Sequence, residues 1–258
     1  MLSRHSRRAR HPFTASFLFT PPPLPLVADR APVPAPLPFD ADRRQLRRRL
    51  RARRRSLGAQ AQRIAARRLA RRLLAEPRLR HVRHLALYLP SDGEIDPTPL
   101  IALLARRGVR IYLPVLRPLV ENRLWFVRLT RRTRLAPNRF GIAEPQTRAS
   151  AHPARRLPAW ALGAVLLPLV GFDARGERLG MGGGFYDRSL GFVRRGVGRR
   201  PRLYGLAHAL QQVERLPVAP WDVPLDAVVS DAGRVVPSHR MKPETARNDD
   251  RNAKRAGG

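Results

Sequence analysis

The segment AVLLPLVGFDARGERLGMGGGFYDRSL, residues 164–190, constrains this chain more than any other. It opens on a charge-free apolar run, residues 164–170, whose length suits a strand buried on both faces; a strand with one wet face would alternate. Gly171, Asp173 and Gly176 supply turns. Gly180-Met181-Gly182-Gly183-Gly184 then places four glycines in five positions, directly before Phe185-Tyr186-Asp187-Arg188, which can start a helix. Strand, glycine loop and helix start in that order gather backbone N–H groups and a positive dipole end, which suits an anion such as phosphate. A flexible connector would carry Ser or Thr and polar flanks, whereas Leu179, Met181, Phe185 and Tyr186 surround this loop. Two common phosphate motifs are excluded. The P-loop needs Lys and then Ser or Thr after its last glycine, and the dinucleotide fingerprint needs a glycine where Phe185 stands.

Upstream the chain reads as a βαβ unit. Residues 84–89 form a short apolar strand ended by Pro90, residues 97–107 a helix stopped by Gly108, and residues 109–113 a second strand. Such units imply a parallel sheet with ligands at the carboxyl ends of its strands. Glu94 sits just past such an end, where an acid more often belongs to a helix start than to a ligand site. Residues 40–75 read as helix with Leu46, Leu50, Leu57 and Ile64 on one face and Arg filling the rest. Ser56-Leu57-Gly58 breaks that run in two, with Ser56 available as an N-cap. Arg43 and Arg47, four apart, share a face and can reach one anion together, although the default for any single Arg here is a solvated basic face. Residues 124–129 have strand character, and Trp125 and Phe126 can either pack in the core, the default for both, or floor a planar ligand; residues 138–145 form a turn-rich link with little chemistry of their own. Beyond the glycine loop come a short helix over 185–195, a strand over 202–207 and a hairpin pairing 227–230 with 234–236.

The formal charge of +32 suggests a polyanionic partner. Nearly all of the cation is Arg, with Lys only at Lys242 and Lys254, and the charge concentrates in the first third, so nucleic-acid binding is expected to be incidental. With no cysteine there are no disulfides or thiolate metal sites, which is compatible with a cytoplasmic protein. The charge-free run over residues 157–172 is too short to cross a bilayer, for which about 20 apolar residues are needed, and it contains Pro158 and Pro168. Residues 1–39, rich in Arg and Pro, are expected to be a disordered, dispensable extension, and residues 237–258 a disordered polar tail, leaving 40–236 as a single α/β domain.

With these pieces placed, the chain resembles the 5-formyltetrahydrofolate cyclo-ligase family, also called methenyltetrahydrofolate synthetases. Residues 178–188 after 167–173 carry the resemblance. Arg43 to Arg47, Tyr88 to Asp96, Asn138 to Pro145, Tyr204 to Ala207 and Asp222 to Asp226 support it in the family's order. It implies a three-layer α/β fold, a mostly parallel sheet flanked by helices, acting as a monomer or weak oligomer. It further implies ATP- and Mg²⁺-dependent cyclisation of 5-formyltetrahydrofolate, with or without a polyglutamate tail, to 5,10-methenyltetrahydrofolate, with release of ADP and phosphate. Arg43, Arg47 and the run Arg178, Leu179, Gly180, Met181, Gly182, Gly183, Gly184, Phe185 and Tyr186 match the family's ATP positions. Leu89, Glu94 and Tyr186 match its folate contacts and Asp187 and Asp222 its Mg²⁺ acids, with Arg178, Tyr186 and Asp187 expected to serve catalysis. Two departures stand out: Gly183 replaces a Lys found in some relatives, and Arg43 replaces the family's leading Lys, a fork in place of a point charge. The alternatives are a basic RNA- or DNA-associated protein, or an α/β enzyme acting on another phosphorylated ligand.

Overall fold

The apolar run at residues 164–170 becomes the middle of the sheet. In the computed structural model, which describes residues 42–118, 120, 122–146, 153–196 and 198–237, strand β7 (Ala164–Pro168) lies between β1 (His84–Ala86) and β10 (Arg202–Ala207), parallel to both. The eight strands run β13-β12-β10-β7-β1-β2-β3-β6, adding β2 (Arg110–Leu116), β3 (Leu124–Arg128), β6 (Arg156–Leu157), β12 (Ala227–Ser230) and β13 (Arg234–Val235). From β12 through β2 every pairing is parallel, and the antiparallel strands β13, β3 and β6 close the two edges. The expected extension over 1–39 and the tail beyond Pro237 lie outside the described residues. Pro237, taken as the first residue of that tail, is buried, and a Cβ at Gly176 would lie 2.5 Å from its ring.

Period-two alternation assigns the side chains of β7 to two layers. Ala164 and Leu166 face one core, with Leu69 and Leu73 of α2 (Ala59–Ala75) and Leu100 and Leu104 of α3 (Pro99–Arg106). Val165 and Leu167 face the other, with Leu190 of α4 (Phe185–Leu190) and Val193 of the 3₁₀ turn behind it. Gly205 in β10 is required by this second layer, because a Cβ there would fall 2.6 Å from Leu169 and 2.7 Å from Leu225. The result is three layers, helix, sheet and helix, as the resemblance implied.

A third, smaller core holds α1 (Arg43–Arg55). Leu46 and Leu50 pack on Val170, Leu179, Val213 and Leu216, seating α1 over a minor sheet of β11 (Gln212–Val213), β8 (Gly171–Asp173) and β9 (Arg178–Leu179). Asp42 caps α1 by accepting from the Arg44 N–H at 2.8 Å. Ser56 is not an N-cap: it ends α1, its hydroxyl donating to the Arg53 carbonyl at 2.8 Å, and Gly58 begins α2. That break ends the expected Leu/Ile stripe as well, since the turn re-aims α2 and leaves Ile64 41% exposed. Residues 135–145 fold as a hairpin, β4 (Leu135–Pro137) with β5 (Ala143–Pro145). Within the described residues no helix is long and apolar enough to cross a membrane.

Candidate active site at the carboxyl ends of the parallel strands

Three loops leave the carboxyl ends of adjacent parallel strands, the place where open α/β sheets hold ligands. The loop after β1 carries Leu89, Asp92 and Glu94; the chain after β7 forms β8, β9 and the glycine loop; the chain after β10 carries His208, Gln211 and Asp222. One helix, α1, crosses all three.

Its arginines make the connections. Arg43 forks onto Asp222 at 3.0 and 3.3 Å and donates to the Pro217 carbonyl at 3.2 Å. Arg47 donates from Nε to the Gly180 carbonyl at 2.8 Å. Arg51 meets Asp92 at 2.7 Å. Arg54, fully buried, donates to the Asp92 carboxylate and carbonyl, each at 2.8 Å, and to the Leu169 carbonyl at 3.3 Å, and stands 3.7 Å from Glu94. Spacings of four, four and three keep these four on one face. The sequence pointed to Arg43 and Arg47; Arg51 and Arg54 stayed hidden among the many arginines of this helix.

The glycine loop is shaped by backbone demands. Gly182 and Gly184 sit at φ +99° and +66°, where side chains are disfavoured. A Cβ at Gly183 would lie 2.7 Å from the Phe185 ring, so a Lys cannot simply be restored there. Arg47 holds the loop at Gly180, and Arg188 holds it through the Gly183 carbonyl at 3.0 Å. Helix α4 is six residues long, so the dipole share of the expected anion cradle is small and the burden falls on loop N–H groups and arginines.

Arg178 is buried, not projecting into open space. Its Nε donates to the Val223 carbonyl at 3.0 Å, and Nη2 pairs with Asp187 Oδ1. Asp187 Oδ1 also accepts from the Val223 N–H at 3.0 Å, which brings the Asp187 and Asp222 segments side by side. Nη1 of Arg178 faces the loop, 3.8 Å from where a Gly180 Cβ would be. The two acids differ: Arg43 and the Ala219 N–H together engage both oxygens of Asp222, whereas Oδ2 of Asp187 accepts no hydrogen bond from a described residue.

Beside the loop opens a cavity of about 690 Å³, lined by Gly182, Gly184, Asp187, Arg188, Arg194 and Trp221 among others. A second, of about 790 Å³, lies past Phe185 against the β4–β5 hairpin. There Glu144 is buried and accepts from the Leu116 N–H at 3.1 Å and from Asn138 Nδ2 at 3.0 Å, tying the hairpin to β2. Trp125 lies under the Arg156 guanidinium at 3.7 Å and Phe126 is in the core, so neither floors a ligand.

The folate-matching residues gather on the Arg54 side. Burial pushes the Glu94 carboxyl up from its ordinary range, with Arg54 acting against that rise. Burial, and then the charge of Glu94, push the Tyr186 phenol well above its usual value. Leu89 packs against the core at the root of the same loop. None of Leu89, Glu94 and Tyr186 lines either cavity. Sequence reasoning missed two buried polar residues after β10. Gln211 donates to the Leu169 and Val170 carbonyls at 2.7 and 2.8 Å. His208 is buried, and that burial lowers its pKa to about 4. Polar residues directly after a buried strand's carboxyl end were the available signal.

A family model of the 5-formyltetrahydrofolate cyclo-ligases matches residues 40–231, the whole span that builds this arrangement. The chain is a member of that family. The cyclo-ligase of Escherichia coli strain K12 is 40% identical over 181 residues, covering 70% of this chain and 96% of the relative. The Haemophilus influenzae cyclo-ligase is 39% identical over 183 residues, covering 71% and 94%. The solution structure of Aquifex aeolicus 5,10-methenyltetrahydrofolate synthetase superposes with a TM-score of 0.64 at 27% identity, covering 80% of this chain and 98% of that one. Membership and fold thus agree with the motif that first drew attention to the glycine loop.

Proposed function

We propose that this cyclo-ligase converts 5-formyltetrahydrofolate and ATP to 5,10-methenyltetrahydrofolate, ADP and phosphate, using the glycine loop and α1 as its ATP site. The observation that carries the reading is the convergence of Arg43 and Arg47 from α1 on the glycine loop and on Asp222, beside a cavity lined by loop glycines and arginines. Phosphoryl transfer asks a protein chiefly to position groups and neutralise charge, and this is what the arrangement offers.

In this reading the formyl oxygen attacks the γ-phosphorus, the bond to the β,γ-bridging oxygen breaks, and ADP leaves. N10 then attacks the activated formyl carbon and loses its proton, and the C–O bond breaks to release phosphate. Loop N–H groups, Arg188 and Arg178 Nη1 hold the phosphates. Arg178 and the Val223 N–H fix Asp187 through Oδ1, leaving Oδ2 without a described donor in a residue that lines the cavity. Asp187 and Asp222 would hold Mg²⁺ through hard carboxylate oxygens, the donors it prefers, and are too few to hold it alone. No described group of three or more His, Asp or Glu could hold a metal unaided. Bound Mg²⁺ supplies charge neutralisation at the transferring phosphoryl group. Glu94 and Tyr186 orient the pterin end of the folate.

Purified protein given ATP, Mg²⁺ and 5-formyltetrahydrofolate is expected to produce methenyl absorbance, and Asp187→Asn to abolish it. Absence of any rise with the wild-type protein would overturn the assignment.

A further inference from the structure

Trp221 is the most exposed large apolar side chain among the described residues, at 64%. Loose loops commonly show such rings, but this loop is not loose. Arg194 Nη1 bonds the Trp221 carbonyl itself. On one side, Asp222 is held by the Arg43 fork and by a reciprocal pair with Ala219: the Asp222 N–H donates to the Ala219 carbonyl and the Ala219 N–H donates to the Asp222 carboxylate, each at 3.0 Å. Next to it, the Val223 N–H and carbonyl are taken by Asp187 and Arg178, each at 3.0 Å. The backbone is therefore fixed from both α1 and the glycine-loop elements, while the indole is left uncovered. A pinned backbone that presents a bare aromatic ring is preorganised for a flat partner, because little ordering remains to be done on binding.

The position of the ring selects that partner. Trp221 lines the same cavity of about 690 Å³ as Gly182, Gly184 and Asp187, a volume within the range of small-molecule sites. The cavity lining joins loop glycines and Arg188, which suit phosphate, to the exposed Trp221 with Arg194 and Arg195. Anion-binding groups and an aromatic face in one cavity match a nucleotide, phosphates on the loop and base on the ring. We infer that Trp221 is the platform on which the nucleotide base stacks, and hence the residue that makes this cavity bind ATP more tightly than an inorganic polyphosphate. The inference rests on the proposal that the glycine loop is the ATP site.

The chain has three tryptophans, which makes the test direct. In full-length Trp125→Phe/Trp160→Phe protein, emission comes from Trp221 alone. ATP is expected to quench it saturably, whereas inorganic tripolyphosphate binds without that quench. Trp221→Ala is expected to raise the Kd for ATP roughly tenfold or more, the range found when base-stacking aromatics are truncated, and to leave the Kd for tripolyphosphate within about twofold. Trp221→Phe should recover most of the ATP affinity. Equal losses for ATP and tripolyphosphate, or no loss for either, would overturn the stacking assignment while leaving the ATP site intact. Failure of the wild-type protein to bind ATP at all would overturn the site and the stacking together, and calorimetry separates the two results.

Discussion

Helices α1 and α2 are neighbours in sequence and both carry many arginines, yet they do different things with them. In α1, Arg43, Arg47, Arg51 and Arg54 point into the protein and end on Asp222, the Gly180 carbonyl, Asp92 and the Glu94 pocket. In α2, Arg63, Arg67 and Arg71 are exposed and form no ion pair with any described residue. The difference comes from what each helix packs upon. The stripe of α2 buries on the apolar layer, so Arg63, Arg67 and Arg71 face water, while Arg72 at its end reaches only the Asp231 and Ala232 carbonyls, away from the glycine loop. The Leu46–Leu50 stripe of α1 sits on the minor sheet that carries the glycine loop, so the flanking face meets loop carbonyls and carboxylates. Arginine content says nothing about function here until the neighbours are known.

The largest effect expected from breaking this contrast is at Arg54. Arg54→Met removes a fully buried cation, taking from Glu94 its paired cation and leaving Asp92 with Arg51 and Arg55 only, so unfolding at neutral pH should lose about 3–5 kcal/mol in denaturant titration. In whatever folded variant survives, Glu94 should titrate at still higher pH, because Arg54 now opposes the rise that burial causes. The acidic limb of kcat/KM should move upward accordingly.

His208, buried under the same end of the sheet, should contribute next. Its folded pKa of about 4 lies below the ordinary 6.5, so between those values the unfolded chain binds the extra proton. Stability is then full above about pH 6.5 and falls as pH drops toward 4, by about 3 kcal/mol over the window. Stability curves of His208→Phe should lose that slope; an unchanged slope would assign it to other groups. Arg47→Ala should lower kcat/KM about a hundredfold with little change in Tm, since it touches the loop and not the core. The smallest effect belongs to α2: Arg63→Gln with Arg67→Gln should leave turnover unchanged and stability within about 0.5 kcal/mol.

What could be read in advance follows the same division. The apolar run that holds Ala164–Pro168 announced itself as a strand because burial on both faces demands unbroken apolar residues, and the glycines at 182–184 stood out because positive φ and close approach exclude side chains. Arg51 and Arg54 were illegible because their burial depends on Asp92 and Glu94, far away in sequence. The double engagement of Arg178, on Asp187 and on the Val223 carbonyl, depends likewise on a segment more than forty residues downstream. Local pattern fixes elements; partners across the fold decide which polar residues turn inward.

The central claim, that α1 builds the nucleotide site and α2 does not, is tested most directly by ATP affinity. Calorimetry should compare wild type with Arg43→Ala/Arg47→Ala and with Arg63→Ala/Arg67→Ala, two pairs that remove the same charge from adjacent helices. The account predicts about a hundredfold weaker ATP binding for the first pair and a change within about twofold for the second. Equal weakening by both pairs would mean that ATP feels only the bulk positive charge, and would contradict the account.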